Sequence, residues 1–130
     1  MATIFSKIVA GEIPCHRVAE TEHCLAFLDI NPIARGHLLC IPKQETDNIF
    51  DLDDSLYGEL LLFAKRVARG LGKVCPCTKV GIAVIGLDVP HAHIHLVPLN
   101  SPADLDFSTH IDTSHEELAD LARQIAAAID

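Results

Sequence analysis

The longest pattern of apolar residues along the chain has the spacing of a helix. It follows Asp53, whose carboxylate is a good N-cap because it can accept hydrogen bonds from the first free backbone amides of a helix. Seven apolar residues then recur every three or four positions: Leu56, Leu60, Phe63, Ala64, Val67, Ala68 and Leu71. This spacing predicts a long helix from about Asp53 to Leu71 with one buried face. Leu61 and Leu62 lie off that face, and either a subunit interface or ordinary tolerated surface leucine would account for them.

Two shorter helices are predicted at the ends of the chain. Near the N-terminus, apolar residues at helical spacing over Ile4–Val9 precede Gly11, which can end a helical turn. Near the C-terminus, Ser114 and Glu117 match the capping-box pattern, and apolar residues then recur to Ile129. The sequence therefore predicts a short N-terminal helix and a C-terminal helix over about 114–129.

Short apolar or alternating segments predict five β-strands. They span Arg17–Glu20, Cys24–Ile30, Leu38–Ile41, Lys79–Ile85 and His91–Pro98. The short turns between several of them favour antiparallel pairing. Together with the helices, this predicts an α+β fold with a five-stranded antiparallel sheet in a single domain over 1–130.

Three histidines alternate with apolar residues in the fifth predicted strand. Because side chains in a strand point to opposite faces with a period of two, His91, His93 and His95 should share one face, and Ala92 and Ile94 should face the core. Neighbouring histidines on that face start about 7 Å apart. The pattern therefore predicts a row of imidazoles, groups that titrate near neutral pH.

Three interpretations of this row remain open from the residues alone. It could be a polar strand face that is rich in histidine by chance. It could bind a metal, although only two of the three histidines can converge on one ion and no acidic residue follows them until Asp104. It could also act on a phosphate, with the middle imidazole attacking and its neighbours orienting and protonating.

The composition of the chain disfavours several classes of binding partner. The 130 residues carry a formal net charge of −8, which disfavours binding to nucleic acids and to anionic membranes. No apolar segment approaches the roughly 20 residues of a membrane span. The five cysteines are an odd number and no signal peptide is evident, so free thiols in the cytoplasm are expected.

Four segments together resemble the histidine-triad (HIT) family. The segment from His91 to Val97 has the family signature, in which three histidines alternate with apolar residues and two apolar residues follow. Three upstream segments, Ile4–Pro14, Leu25–Pro32 and Gly36–Lys43, are similar to family segments in the same order. The resemblance covers about 4–99 and implies a HIT-like fold.

The resemblance implies a nucleotide hydrolase, closest to the nucleoside phosphoramidase branch. His93 would attack the α-phosphorus and form a nucleotidyl-histidine that water then hydrolyses; a carbonyl accepting from its Nδ1–H would leave the Nε2 lone pair facing the groove. His95 would contact phosphate oxygens or the leaving group, and His91 would hold the row in register. His37 matches a further active-site histidine and would support His93.

The same resemblance implies where a purine nucleotide would bind. Asp29 matches a carboxylate that accepts hydrogen bonds from both ribose hydroxyls. The apolar positions that would line the base are Ile4, Phe5, Ile8, Phe27 and Ile30, and Gly86 matches a glycine of the loop before the triad. The chain departs from the family at Asp88, where a serine often contacts the phosphate, at Val80, near the place of an asparagine, and in lacking a C-terminal tryptophan.

The expected protein is therefore a homodimeric HIT hydrolase that cleaves a nucleoside phosphoramidate or a dinucleoside polyphosphate. No cofactor or metal is expected, because Ser6 stands where some HIT proteins have one cysteine of a structural zinc site. The alternatives are a nucleotide-binding module whose turnover is spoiled near Asp88 and, less favoured, a metal-dependent enzyme.

Overall fold

A computed structural model describes residues 2–130 and has the predicted α+β architecture. The helices are α1 (Ile4–Val9), α2 (Asp54–Val74) and α3 (His115–Ala128), and short 3-10 turns span Ile49–Asp51 and Pro102–Asp104. The strands are β1 (Arg17–Glu20), β2 (Cys24–Leu28), β3 (Leu38–Pro42), β4 (Lys79–Ala83) and β5 (Ile94–Leu99). They form one antiparallel sheet in the order β1-β2-β3-β5-β4.

Asp53 and Ser114 are the N-caps of α2 and α3, as predicted. The Asp53 side chain accepts a hydrogen bond from the Leu56 amide at 2.8 Å and begins α2. The Ser114 side chain accepts from the Glu117 amide at 3.1 Å and begins α3. None of the helices in the described part of the chain is long and apolar enough to cross a membrane.

The two faces of the sheet bury different cores. Helices α2 and α3 cover one face, where Leu60, Leu71 and Ile125 are fully buried against Ile94 and Leu96 of β5. Burying a leucine of this kind contributes about 1.5–3 kcal/mol. Helix α1 lies on the other face, and its apolar side chains pack against β2 and β3. The candidate site residues described below lie on this second face.

Three predicted strand boundaries were wrong by two or three residues, and two others by one residue; the start of the fifth strand shows why. It begins at Ile94 and not at His91, since the His91 amide donates to Val89 and the Ala92 amide donates to Thr46, so that neither extends the ladder. The carbonyl of Pro42, at the end of β3, accepts a hydrogen bond from the His91 ring. The His91 side chain thus bonds to a main-chain carbonyl at the position where β5 would continue to pair with β3. Ala92 and Ile94 nevertheless lie in the helix-covered core, as the alternation predicted.

The other two strands are shorter than predicted: β2 ends at Leu28 and not at Ile30, and β4 ends at Ala83 and not at Ile85. The prediction that both Leu61 and Leu62 lie off the buried face of α2 was also partly wrong. Leu61 packs against the main core, whereas Leu62 is 66% exposed.

Candidate active site

A cavity of about 440 Å³ opens between α1, the ends of the central strands and the loop before the triad. His93 and His95 line it, and so do all eight residues that the resemblance places around a nucleotide: Ile4, Phe5, Ile8, Phe27, Asp29, Ile30, Gly86 and Asp88. His91 and His37 are buried behind its wall, with 0% and 2% of their surfaces exposed. The four histidines therefore form two layers and not a single open row.

His93 has the ring orientation expected of a nucleophile. Its Nδ1 lies 2.7 Å from the carbonyl oxygen of His91, which can only accept, so Nδ1 carries the proton when the ring is neutral. The Nε2 lone pair is then available to the cavity that His93 lines. The edge-on ring of Phe5, with centroids 4.9 Å apart, packs against the imidazole and restricts its rotation.

His91 joins α1 to the triad. Its Nε2 lies 2.8 Å from the Pro42 carbonyl, so Nε2 donates and Nδ1 accepts, and Nδ1 is 3.1 Å from the Thr3 hydroxyl. The same hydroxyl accepts from the Ser6 amide as the N-cap of α1. Burial lowers the pKa of His91, although the Pro42 carbonyl and the Glu45 carboxylate oppose this effect.

His37 contacts His95, and this differs from the predicted support of His93. The Nε2 of His37 is 2.9 Å from the Nδ1 of His95, and both rings are buried. Burial and the neighbouring rings of His93 and His37 lower the pKa of His95 to about 3. Burial also lowers the pKa of His37, although Asp29 opposes that shift. His95 is therefore neutral at physiological pH.

Asp29 follows the end of β2, and a backbone amide of the turn that follows it orients its side chain. Its carboxylate accepts from the Asn31 amide at 2.8 Å, and its second oxygen lies 3.7 Å from the Nε2 of His37. The side chain is 22% exposed, so the carboxylate remains accessible from the cavity that it lines. A carboxylate placed in this way can accept from two neighbouring hydroxyls.

Comparison with known proteins identifies the family of this chain. The family model for the HIT domain matches residues 10–101. The chain belongs to the HIT family. The HIT protein of Bacillus subtilis is 33% identical over 95% of this chain and 91% of its own length. An adenosine 5'-monophosphoramidase of Schizosaccharomyces pombe is 37% identical over 75% of this chain and 74% of its own length.

Solved HIT structures share the whole fold. A HIT-like protein from Bartonella henselae superposes with a TM-score of 0.85 at 30% identity, covering 98% of this chain and 96% of the other. A zinc-bound HIT protein from Mycobacterium smegmatis superposes with a TM-score of 0.84 at 30% identity, covering 98% and 93% of the two chains. The five-stranded sheet and three helices are therefore those of the HIT fold.

The residues near α1 do not fit a structural zinc site. The hydroxyl of Ser6 donates to the Thr3 carbonyl and accepts from the Thr3 amide, so this HIT chain has a hydrogen-bonded capping box there. Zinc prefers thiolate, imidazole and carboxylate ligands to hydroxyls. Ser6 would therefore offer a zinc ion a hydroxyl oxygen at this position, and not the thiolate that a cysteine would supply.

A second candidate metal cluster comprises Asp29, His37 and His95, whose ligand atoms lie within 4.8 Å of one another. The Ile33 amide donates to the Nδ1 of His37 at 3.2 Å, which requires a lone pair there. A metal on the Nε2 of His37 would move the proton to Nδ1, where it would face the Ile33 N–H. The main chain therefore disfavours a metal in this cluster.

Two contacts of the site were missed by sequence reasoning. Phe107, in the loop before α3, packs edge-on against His95 with ring centroids 4.8 Å apart and lines the cavity. It lies beyond the segments that resemble the HIT family, in a stretch without periodicity. Thr3 has the residue type of a helix N-cap, which would have revealed the start of α1. Its contact with His91, 88 residues away, has no local signal.

Proposed function

We propose that this HIT protein hydrolyses the bond between the α-phosphate of a purine nucleotide and its leaving group, which is an amine or a second nucleotide. The observation that carries the proposal is the hydrogen bond from the His93 Nδ1–H to the main-chain carbonyl of His91, which leaves the Nε2 lone pair available to the cavity. The similarity to the adenosine 5'-monophosphoramidase of S. pombe supports the phosphoramidate class.

In the first step, the Nε2 lone pair of His93 forms a bond to the α-phosphorus as the bond to the leaving group breaks. The leaving group departs with its electron pair and takes up a proton from solvent water. In the second step, a water oxygen attacks the same phosphorus and gives up one proton to the solvent, which balances the first step. The P–N bond breaks, and the nucleoside monophosphate is released while His93 recovers its lone pair. No step requires a metal or cofactor.

The nucleotide would bind with its base against α1 and its ribose against Asp29. Phe5 and Phe27 pack edge-on, with ring centroids 5.7 Å apart, and with Ile8 they form an apolar wall for a purine. Asp29 would accept hydrogen bonds from the two ribose hydroxyls. This arrangement brings the α-phosphate toward His93 and His95.

Asp88 favours a second candidate function, which is nucleotide binding with little turnover. Asp88 is exposed and lines the same cavity as His93. A carboxylate near a phosphate repels it, and the lining of the cavity includes no lysine or arginine to offset this charge. This repulsion would weaken the binding of a polyphosphate more than that of a phosphoramidate.

A single-turnover experiment separates the two functions. Wild-type protein mixed with an AMP phosphoramidate should form a trapped AMP–protein adduct, and a substrate panel with GMP phosphoramidates and dinucleoside polyphosphates should define the leaving group. His93→Ala should form no adduct and lose turnover by orders of magnitude while still binding AMP; the exposed His23→Ala serves as the control. Normal turnover in His93→Ala would disprove the mechanism, and nucleotide binding without any adduct would favour the binding module. Activity should survive a chelator.

We also propose that two copies associate through α2, the helix predicted over about Asp53 to Leu71, together with the edge strand β4. Leu62 on α2 is 66% exposed, Ile82 of β4 and Val84 after it are 56% and 44% exposed, and Phe50, which shares a pocket with Val84, is 78% exposed. A second copy is the favoured occupant because an edge strand offers unpaired backbone groups to an identical strand. Light scattering should give about twice the 14.1 kDa chain mass. Leu62→Glu with Ile82→Lys should give the monomer, and a monomeric wild type at micromolar concentration would refute the proposal.

A cytoplasmic location is part of the same proposal. All five cysteines are free in the structure, which suits a reducing compartment. Fractionation of the source cells should recover the protein with cytoplasmic markers.

A further inference from the structure

Four aromatic rings follow one another along the wall of the cavity. Phe5 packs edge-on against His93 with ring centroids 4.9 Å apart, and His93 packs against His95 at the same centroid distance. Phe107 then packs edge-on against His95 with centroids 4.8 Å apart, and it lines the same cavity. The base and the phosphate of the proposed substrate use the first three rings, and Phe107 is left without a role.

The loop that carries Phe107 is tied to the turn after β2 by two hydrogen bonds. The Nδ1 of His110 lies 2.8 Å from the Asn31 carbonyl, which can only accept, so the imidazole donates. The Ile111 amide donates to the Pro32 carbonyl at 2.9 Å. Phe107 is therefore held at the cavity before a substrate binds, and a contact with it requires little ordering of the chain.

The position of Phe107 in the row matches the direction in which a leaving group departs. The base would lie against Phe5, at the other end of the row, and the α-phosphate beside His93 and His95. When His93 attacks, the displaced group leaves from the side of the phosphorus opposite to the attacking atom. Along the row of rings, that is the side on which His95 and then Phe107 lie.

The remaining lining of the cavity is apolar apart from two carboxylates. Ile85 and Leu87, in the loop before the triad, line the cavity and are 47% and 89% exposed. Among the described residues, Asp29 and Asp88 line it but no lysine or arginine does. A leaving group with an apolar body would cover the exposed apolar side chains, whereas one that carries a phosphate or carboxylate would meet like charge.

We propose that Phe107, together with Ile85 and Leu87, forms a leaving-group subsite that selects amines with an aromatic or branched apolar body. The inference rests on the proposed function, since it specifies the leaving group of that reaction. The chemistry is unchanged: the P–N bond to the amine breaks, and the amine takes up a proton from solvent water. Phe107 contacts the leaving group and determines specificity without forming a bond. A second nucleotide is disfavoured as the leaving group because of its phosphates.

The subsite can be tested by binding, without turnover, in the His93→Ala protein. Calorimetry should give a Kd for the phenethylamine phosphoramidate of AMP about tenfold lower than for the methylamine phosphoramidate, because the larger amine adds an aromatic contact and buries more apolar surface. Adding Phe107→Ala should reduce this ratio to about twofold and leave the Kd for AMP unchanged. Adding Phe107→Leu keeps an apolar side chain and should give an intermediate ratio.

Ile111→Ala is the matched control for these variants. Ile111 belongs to the same loop, is 41% exposed and lies outside the described lining of the cavity, so its replacement should keep the tenfold ratio. In proteins with His93 intact, kcat/KM should rank the leaving amines as phenethylamine, isoamylamine, methylamine and glycine, from fastest to slowest. These amines have similar basicity, so the ranking reports contacts with the amine body.

An unchanged Kd ratio in Phe107→Ala would refute the subsite. An equal loss of affinity for AMP and for both phosphoramidates would also refute it, because Phe107 would then act on the nucleotide and not on the leaving group. If no protein with His93 intact turns over while the Kd ratios are as expected, the proposed reaction is wrong and the subsite stands.

Discussion

Replacing Thr3 with valine should test how strongly α1 is tied to the triad. The two side chains have similar shapes, but valine has no hydroxyl. That hydroxyl accepts from the Ser6 amide at 3.0 Å and lies 3.1 Å from the Nδ1 of His91, to which it donates. Thr3→Val therefore removes the N-cap of α1 and the donor to a fully buried acceptor at once.

The expected cost follows from these two contacts. Loss of an N-cap destabilises a protein by about 1 kcal/mol. A buried acceptor left without a donor costs about 1–3 kcal/mol. The free energy of unfolding of Thr3→Val should therefore fall by about 2–4 kcal/mol, a large part of the stability of a typical single domain. Because α1 carries Phe5 and Ile8, KM for a nucleotide substrate should also rise.

Urea denaturation of wild type, Thr3→Val and Thr3→Ser measures this effect. Serine keeps the hydroxyl and loses one methyl group, so Thr3→Ser is the matched control and should stay within about 1 kcal/mol of the wild type. The reasoning is wrong if Thr3→Val and Thr3→Ser are equally stable. It is also wrong if Thr3→Val is less stable than the wild type by under 1 kcal/mol.

Three further predictions concern pH, charge and backbone conformation. The pKa of His95 lies near 3 when folded and at its ordinary value of about 6.5 when unfolded, so the unfolded state binds the extra proton between these values. The contribution of His95 to the free energy of unfolding is therefore complete above pH 6.5 and falls by about 1.4 kcal/mol for each pH unit below it. Urea titrations should show that the free energy of unfolding of His95→Gln falls less steeply with decreasing pH, by that amount. Parallel curves for the two proteins would contradict the burial argument. Asp88→Ser should lower KM for an AMP phosphoramidate roughly two- to fivefold by removing a like charge from the cavity, and an unchanged KM would show that Asp88 does not affect the phosphate. Gly36 has a φ of +97°, and a Cβ there would lie 2.8 Å from the Cys75 sulfur, so Gly36→Ala should destabilise by more than 1 kcal/mol in thermal unfolding. Gly58→Ala, in open space on α2, should instead stabilise by about 0.5–1 kcal/mol, and the opposite ranking would be evidence against this backbone argument.

The sequence by itself determined the elements whose signals are local. The periodicity after Asp53 and its capping carboxylate predict α2 because both act within a few residues along the chain. The alternation around His93 correctly separated the core face, with Ala92 and Ile94, from the face that bears the functional side chains. The resemblance to the HIT family then identified residues that the structure brings together around one cavity.

Only the tertiary structure decided how the histidines are divided between the cavity and the layer behind it. His37 contacts His95 across 58 positions of the chain, and Thr3 contacts His91 across 88. The amide of Ile33 carries no side-chain signal at all, yet its hydrogen bond sets the proton on His37. Local patterns cannot encode such pairs, because the direction of a buried hydrogen bond depends on which groups the fold places opposite each other.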